Sequence, residues 1–239
     1  MNTTRVLGAA LLATTVVLAA CSDDDDDPTG TNNTATVRFV NASGQNLDIG
    51  TNGSFQSANS NLAFGGSSQC LSVNPSSSGL TFRRNGQATT FTPSGFNASD
   101  LQAGGTYTVV LNNGSTSGSY AATRFNDNYQ GATSTAGGVR VINGMSGSTN
   151  YSLFVGPAGS SMPSTAANPS FGSGLFTGFL PMTTGNNQVW LTTGSGASQT
   201  TAFTSSAFPV TANTYQTMII TDPATTGGAL RSIMVDACR

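Results

Sequence analysis

Val37-Arg38-Phe39-Val40-Asn41 returns 102 positions later as Val139-Arg140-Val141-Ile142-Asn143. Both pentapeptides end on Asn and are rich in β-branched and aromatic side chains, the composition of a short strand. Two further pairs keep the same order along the chain. Phe91-Thr-Pro-Ser-Gly-Phe96 returns as Phe203-Thr-Ser-Ser-Ala-Phe208, and Thr106-Tyr107-Thr-Val-Val-Leu111 as Thr214-Tyr215-Gln-Thr-Met-Ile219. Three ordered matches with slightly drifting offsets are the signature of an internal repeat whose loops differ in length.

Each copy reads as β. Short runs such as Leu80–Arg84, Gln188–Thr192 and Gln216–Thr221 are rich in Val, Ile, Thr and aromatic residues. Asn-Gly pairs at Asn52-Gly53, Asn85-Gly86, Asn113-Gly114 and Asn143-Gly144 supply turns, because both residues tolerate positive φ. No helical periodicity persists beyond the leader. About seven short strands per hundred residues predict an all-β chain of two tandem immunoglobulin-like β-sandwich domains, a small barrel being the alternative. The expected boundaries are 35–130 for the first sandwich and 138–239 for the second, joined by a Gly/Ser/Thr-rich linker.

The order Val-Arg-Phe-Val-Asn-Ala-Ser at 37–43, a Gly-rich middle, then Leu101-Gln-Ala-Gly-Gly-Thr-Tyr-Thr-Val-Val110 resembles the domain-of-unknown-function 4397 (DUF4397) family. The second copy departs from it, with Gly144-Met145 for Ala42-Ser43 and Thr211-Ala-Asn for Ala103-Gly-Gly. The resemblance implies an extracytoplasmic β-sandwich of secreted or lipid-anchored bacterial proteins, often in tandem. It implies no activity and supplies no functional residues.

Upstream of the repeat, Arg5 gives a positive n-region and Val6 to Val17 an apolar stretch. That stretch is shorter than the roughly 20 apolar residues a membrane span needs, and it runs into small residues. Leu18-Ala19-Ala20-Cys21 resembles a bacterial lipobox. Residues 1–20 then form a lipoprotein signal peptide, and Cys21 becomes the lipidation site carrying diacylglycerol and a further acyl chain such as palmitate. Two or three acyl chains anchor stably where one is marginal. Residues 21–34 read as a disordered tether. Ser22 and the run Asp23, Asp24, Asp25, Asp26 and Asp27 keep it extended by self-repulsion. The run also resembles the export signal of surface-exposed lipoproteins in some Gram-negative groups. Outer-membrane anchoring with the domains facing the cell surface follows, the periplasmic face being the alternative.

Absences limit the chemistry. The 239 residues contain no Lys, no Glu and no His. Without His there is no Ser-His-Asp or Cys-His nucleophile and no imidazole ligand. Without Lys there is no Schiff base or phosphate-loop lysine. From Ala35 onward there are seven Arg and five Asp, so the low isoelectric point belongs to the tether and no basic stripe awaits nucleic acid. No cofactor, metal site or catalytic residue is assigned. A hydrolase using two of Asp48, Asp100, Asp127, Asp222 and Asp236 is chemically conceivable.

With Cys21 lipidated, Cys70 and Cys238 remain, and in an oxidising envelope the pair reads as a disulfide between the two repeats. Arg38 and Arg140 hold matching first-strand positions, while Asp127 and Asp236 lie near the ends of the last strands; structural ion pairs or a repeated ligand contact are the two readings. Trp190, Tyr107 and Tyr215 sit in strands and read as core, as do Phe91, Phe96, Phe203 and Phe208. Tyr120, Tyr129 and Tyr151 lie nearer loops and are the expected exposed contacts. The functional expectation is a non-catalytic envelope protein that binds an extracellular glycan or protein ligand, adheres or coats. The alternatives are an accessory subunit of an outer-membrane transport or secretion complex, and the paired-Asp hydrolase.

Overall fold

A computed structural model describes residues 33–76, 79–127, 129, 132–223 and 228–238. The leader, Cys21 and the acidic run Ser22–Asp27 lie outside the described residues. From Asn32 to Arg239 the chain forms one compact unit.

That unit is all-β apart from three short 3-10 turns. In the first half the strands are β1 (Ala35–Asn41), β2 (Leu47–Thr51), β3 (Leu71–Val73), β4 (Leu80–Arg84), β5 (Thr90–Phe91), β6 (Thr106–Asn113) and β7 (Tyr120–Asn126). In the second they are β8 (Ala136–Asn143), β9 (Tyr151–Pro157), β10 (Asn168–Phe171), β11 (Leu180–Thr183), β12 (Gly185–Thr193), β13 (Thr200–Thr204), β14 (Phe208–Val210), β15 (Tyr215–Thr221) and β16 (Arg231–Asp236).

Two four-stranded sheets have the same construction. One is ordered β3-β1-β6-β7 and the other β11-β8-β15-β16. In each, the first strand of the half lies inside the sheet and runs parallel to a late strand, β1 to β6 and β8 to β15. The outer sheets are β2-β4-β5 in the first half and β10-β9-β12-β13, with β14 on β12, in the second.

The opening pentapeptide explains the layering. Side chains alternate faces along a strand. Val37 and Phe39 point into the first half's core with Leu47, Ile49, Phe82 and Val109. Phe39 meets Phe82 and Phe96 edge-on, with ring centroids at 5.3 and 5.9 Å. Val139 and Val141 point likewise into the second core with Leu153, Phe171, Leu191 and Met218. The opposite faces of both inner sheets meet. Val40, Ala42, Val110 and Phe125 join Ile142, Ile219, Ile233 and Val235 in a third apolar cluster shared by the two halves. Four sheets are thus held by three cores, and the inner two are buried on both faces.

The closing Asn of each pentapeptide is buried. Asn41 Oδ1 accepts from the Ser43 N–H at 2.9 Å, and Asn143 Oδ1 from the Met145 N–H at 3.1 Å. Their amide groups donate to the carbonyls of Leu62 and Phe171 at 2.7 and 2.9 Å. Each is a local Asx turn that ends the first strand and pins a distant loop. Ser68 and Thr177 match in the same way, their hydroxyls accepting from the Phe39 and Val141 N–H groups, both at 3.0 Å.

One sequence correspondence shifts by a residue. With Val37 matched to Val139, Tyr107 pairs with Val37 while Gln216, not Tyr215, pairs with Val139. A shift of one flips a side chain to the other face of the sheet. Tyr107 accordingly packs in the first core, while Tyr215 packs against Tyr129 and Phe179, at 5.0 and 5.1 Å.

Candidate functional site

In a chain this poor in charge, each ionic group is informative. Arg140 has a fully buried side chain and donates to Asp127 at 2.6 Å. It also donates to Thr108 and Thr217 at 3.1 and 3.0 Å and to the Asn126 carbonyl at 2.9 Å. Arg38 makes the matching contact in the reverse direction, donating to the Asp236 carbonyl at 2.5 Å. Asn126 and Asp236 are corresponding residues, paired with Tyr107 and Gln216. Each arginine therefore crosses to the other half, and the two contacts are related by an approximate twofold. The reading of two equivalent ion pairs holds for only one carboxylate. Asp127 ends one residue beyond the position of Asp236, so it can face Arg140, whereas Asp236 turns its carboxylate to Gln216 at 3.3 Å.

Cys70 and Cys238 are disulfide-bonded, with Cα atoms 5.7 Å apart across 168 residues of sequence. Cys70 lies two residues beyond Ser68, and Phe179 two beyond Thr177. The disulfide on one side of the approximate twofold is thus answered on the other by Phe179 against Tyr129, centroids at 5.5 Å. Burial, with the charge of Asp127, pushes the Tyr129 phenol well above its ordinary range, so it stays protonated and donates to the Cys238 carbonyl.

The other carboxylates have structural partners. Asp48 is buried and accepts from the Asn61 N–H, Arg83 and Asn85 at 2.8, 2.8 and 2.9 Å. Burial alone would raise its carboxyl, but these hydrogen bonds and the Arg83 charge outweigh it and hold the group below the usual carboxylate range. Asp100 caps a 3-10 turn through the Asn97 N–H, and Asp222 accepts from the Ser146 N–H and hydroxyl. Among the described residues no three Cys or Asp side chains stand close enough to hold a metal ion.

Of the aromatics, Tyr107 and Trp190 are buried as expected. Tyr120 is not the exposed contact expected from its place near a loop. It begins β7 and is only 4 % exposed, its ring stacked on Phe91 at 4.2 Å. Among the described residues, the large apolar side chains that do reach solvent are Leu175 and Phe176, at 46 and 49 %. Sequence reasoning missed them, although an apolar pair between Gly174 and Gly178 in a loop is a visible signal.

It also missed a cleft at one end of the first half. The β1–β2, β4–β5 and β6–β7 loops converge there around two adjoining concavities of about 510 and 490 Å³ that share Gln45 and Arg84. Arg84 ends β4. Its Nε donates to the Tyr120 hydroxyl at 2.8 Å and its Nη2 to the Gly118 carbonyl at 3.1 Å, and no ion pair joins it to a carboxylate among the described residues. Asn46, Asn85, Gln87, Asn113 and Ser119 line the rest. The readable signal was Arg83-Arg84 before an Asn-Gly turn: two of the chain's eight cations are adjacent, and Asp48 pairs with one of them.

A family model described as Domain of unknown function (DUF4397) matches residues 35–153, from β1 into the start of β9. No curated protein matches the chain.

Proposed function

We propose that the chain is a non-catalytic, lipid-anchored protein of the bacterial cell envelope that presents two tandem immunoglobulin-like sandwiches to an extracellular ligand. In this reading Cys21 carries the acyl chains at the outer membrane, Ser22–Asp27 is the stalk and export signal, and the domains face the cell surface. The observation that carries it is the lipobox Leu18-Ala19-Ala20-Cys21 upstream of a unit stapled by a disulfide, a bond that persists in oxidising compartments. The matched hydrogen bonds of Asn41 and Asn143, and of Ser68 and Thr177, support the tandem. Every Asp from Asp48 onward has a structural partner, which favours binding over hydrolysis.

Metabolic labelling with an alkyne fatty acid, followed by protease shaving of intact cells, tests the reading. Label that disappears in Cys21→Ala, and domains lost on shaving, are the expected results. Unlabelled wild type sinks the anchor, and full protection moves the domains to the periplasmic face.

A second reading, an accessory subunit docking onto an outer-membrane complex, draws on the exposed Leu175-Phe176 pair.

A further inference from the structure

The cleft at the loop end of the first half differs in charge from the matching end of the second. Phe82 pairs with Phe91 as Leu191 pairs with Phe203, which matches Arg83 and Arg84 to Thr192 and Thr193. The last strands match Tyr120 to Leu230. At this end the first half therefore places a guanidinium and the neutral Asn113, accepting from the Gly44 N–H, where the second has no arginine on the matching strand and the carboxylate of Asp222, accepting from the Ser146 N–H.

That guanidinium is held for a purpose other than a salt bridge. Two hydrogen bonds fix its plane, to the Tyr120 hydroxyl and the Gly118 carbonyl. The carboxylate tied to this end, Asp48, is occupied by Arg83, Asn85 and the Asn61 N–H. An oriented arginine without a counter-charge, at the edge of an open cleft, is a preformed receptor for an anion. Around it Gln45, Asn46, Gln87 and Asn113 are exposed primary amides. Each amide offers both donor and acceptor, as vicinal hydroxyls require. The Tyr120 ring, stacked on Phe91, is only 4 % exposed and so offers no flat aromatic face to a nucleobase or planar apolar ligand. A single arginine fork suits one planar carboxylate better than a phosphate cluster, which calls for several cations.

We propose that the Arg84 cleft binds a carboxylate-bearing saccharide, a uronic acid within an acidic polysaccharide. This rests on the envelope-binding reading above and names its ligand class.

The test uses the full chain purified in detergent and titrated calorimetrically with a galacturonate oligomer and with its methyl ester, which keeps the hydroxyls and removes the charge. The acid form binds, and the ester binds at least about tenfold more weakly, the loss of one charge-assisted hydrogen-bond pair. Arg84→Gln shows a similar loss. Asn113→Asp does too, since it places a carboxylate in the cleft while keeping the acceptor that faces the Gly44 N–H. Arg124→Gln, on β7 and outside the cleft, leaves binding unchanged. No binding by the wild type, equal affinity for acid and ester, or full affinity in both cleft variants overturns the proposal. Acetate competing as well as the oligomer overturns its saccharide part. Intact mass of the same preparation reports the acyl groups on Cys21 separately. Lipidated protein that does not bind sinks only this inference, and binding protein with a free Cys21 sinks only the anchor.

Discussion

Arg140 is the residue on which the two halves depend most. Its guanidinium is buried against Asp127, two threonines and a carbonyl, and it lies 4.9 Å from the centre of the Phe179 ring. Removing one member of such a pair strands the other charge in an apolar setting and costs about 3–5 kcal/mol. Arg140→Met is therefore expected to lose that much in urea unfolding, and Arg140→Met with Asp127→Leu to recover most of it. Additive losses in the double variant would contradict the pairing. Asp48 gives a pH signature. Its folded carboxyl is held below the unfolded value of about 3.9, so it contributes stability that is full above that value and is lost as pH falls through the folded one. Asp48→Asn is expected to be less stable at pH 7 and to show a flatter decline as pH falls below the unfolded carboxylate value of about 3.9. Unfolding midpoints measured across that decline check it.

At the scale of strands, the Asn that closes β1 and β8 sets where the inner sheets end. Asn41 donates to two carbonyls, Gln45 and Leu62, and accepts from the Ser43 N–H and hydroxyl; Asn143 donates to the Phe171 carbonyl and accepts from the Met145 N–H. Each buried group left unsatisfied costs about 1–3 kcal/mol. Asn41→Ala is expected to destabilise more than Asn143→Ala, and chemical denaturation of the pair tests the order. These strands also show what the amino-acid order could and could not disclose. Their β character was legible from Val, Ile and Thr spacing and from the Asn-Gly turns. The register was not: Thr-Tyr at 106–107 and at 214–215 match by letter, yet hydrogen bonding to β1 and β8 places them one step apart. Nor could the partners of Arg38 and Arg140 be read, since both lie across an interface formed only when the sheets stack. Arg84 was visible as a letter, but its lack of a counter-charge emerges only once Asp48 has paired with Arg83.

For the whole molecule, the third apolar cluster, the crossed arginines and the disulfide act on one interface. A ligand cleft at the end of the first half would thereby sit on a stiff support rather than on a freely swinging domain. Closing 168 residues of sequence by the disulfide contributes about 5 kcal/mol in the chain-entropy picture, so reduction is expected to lower the melting temperature by roughly 10–20 °C. Whether the two halves form one cooperative unit is tested most directly by differential scanning calorimetry of the oxidised chain. One transition is expected, with calorimetric and van't Hoff enthalpies equal, because neither half can unfold without exposing the shared cluster and Arg140. Two separate transitions in the oxidised protein, each with the enthalpy of half the chain, would contradict it.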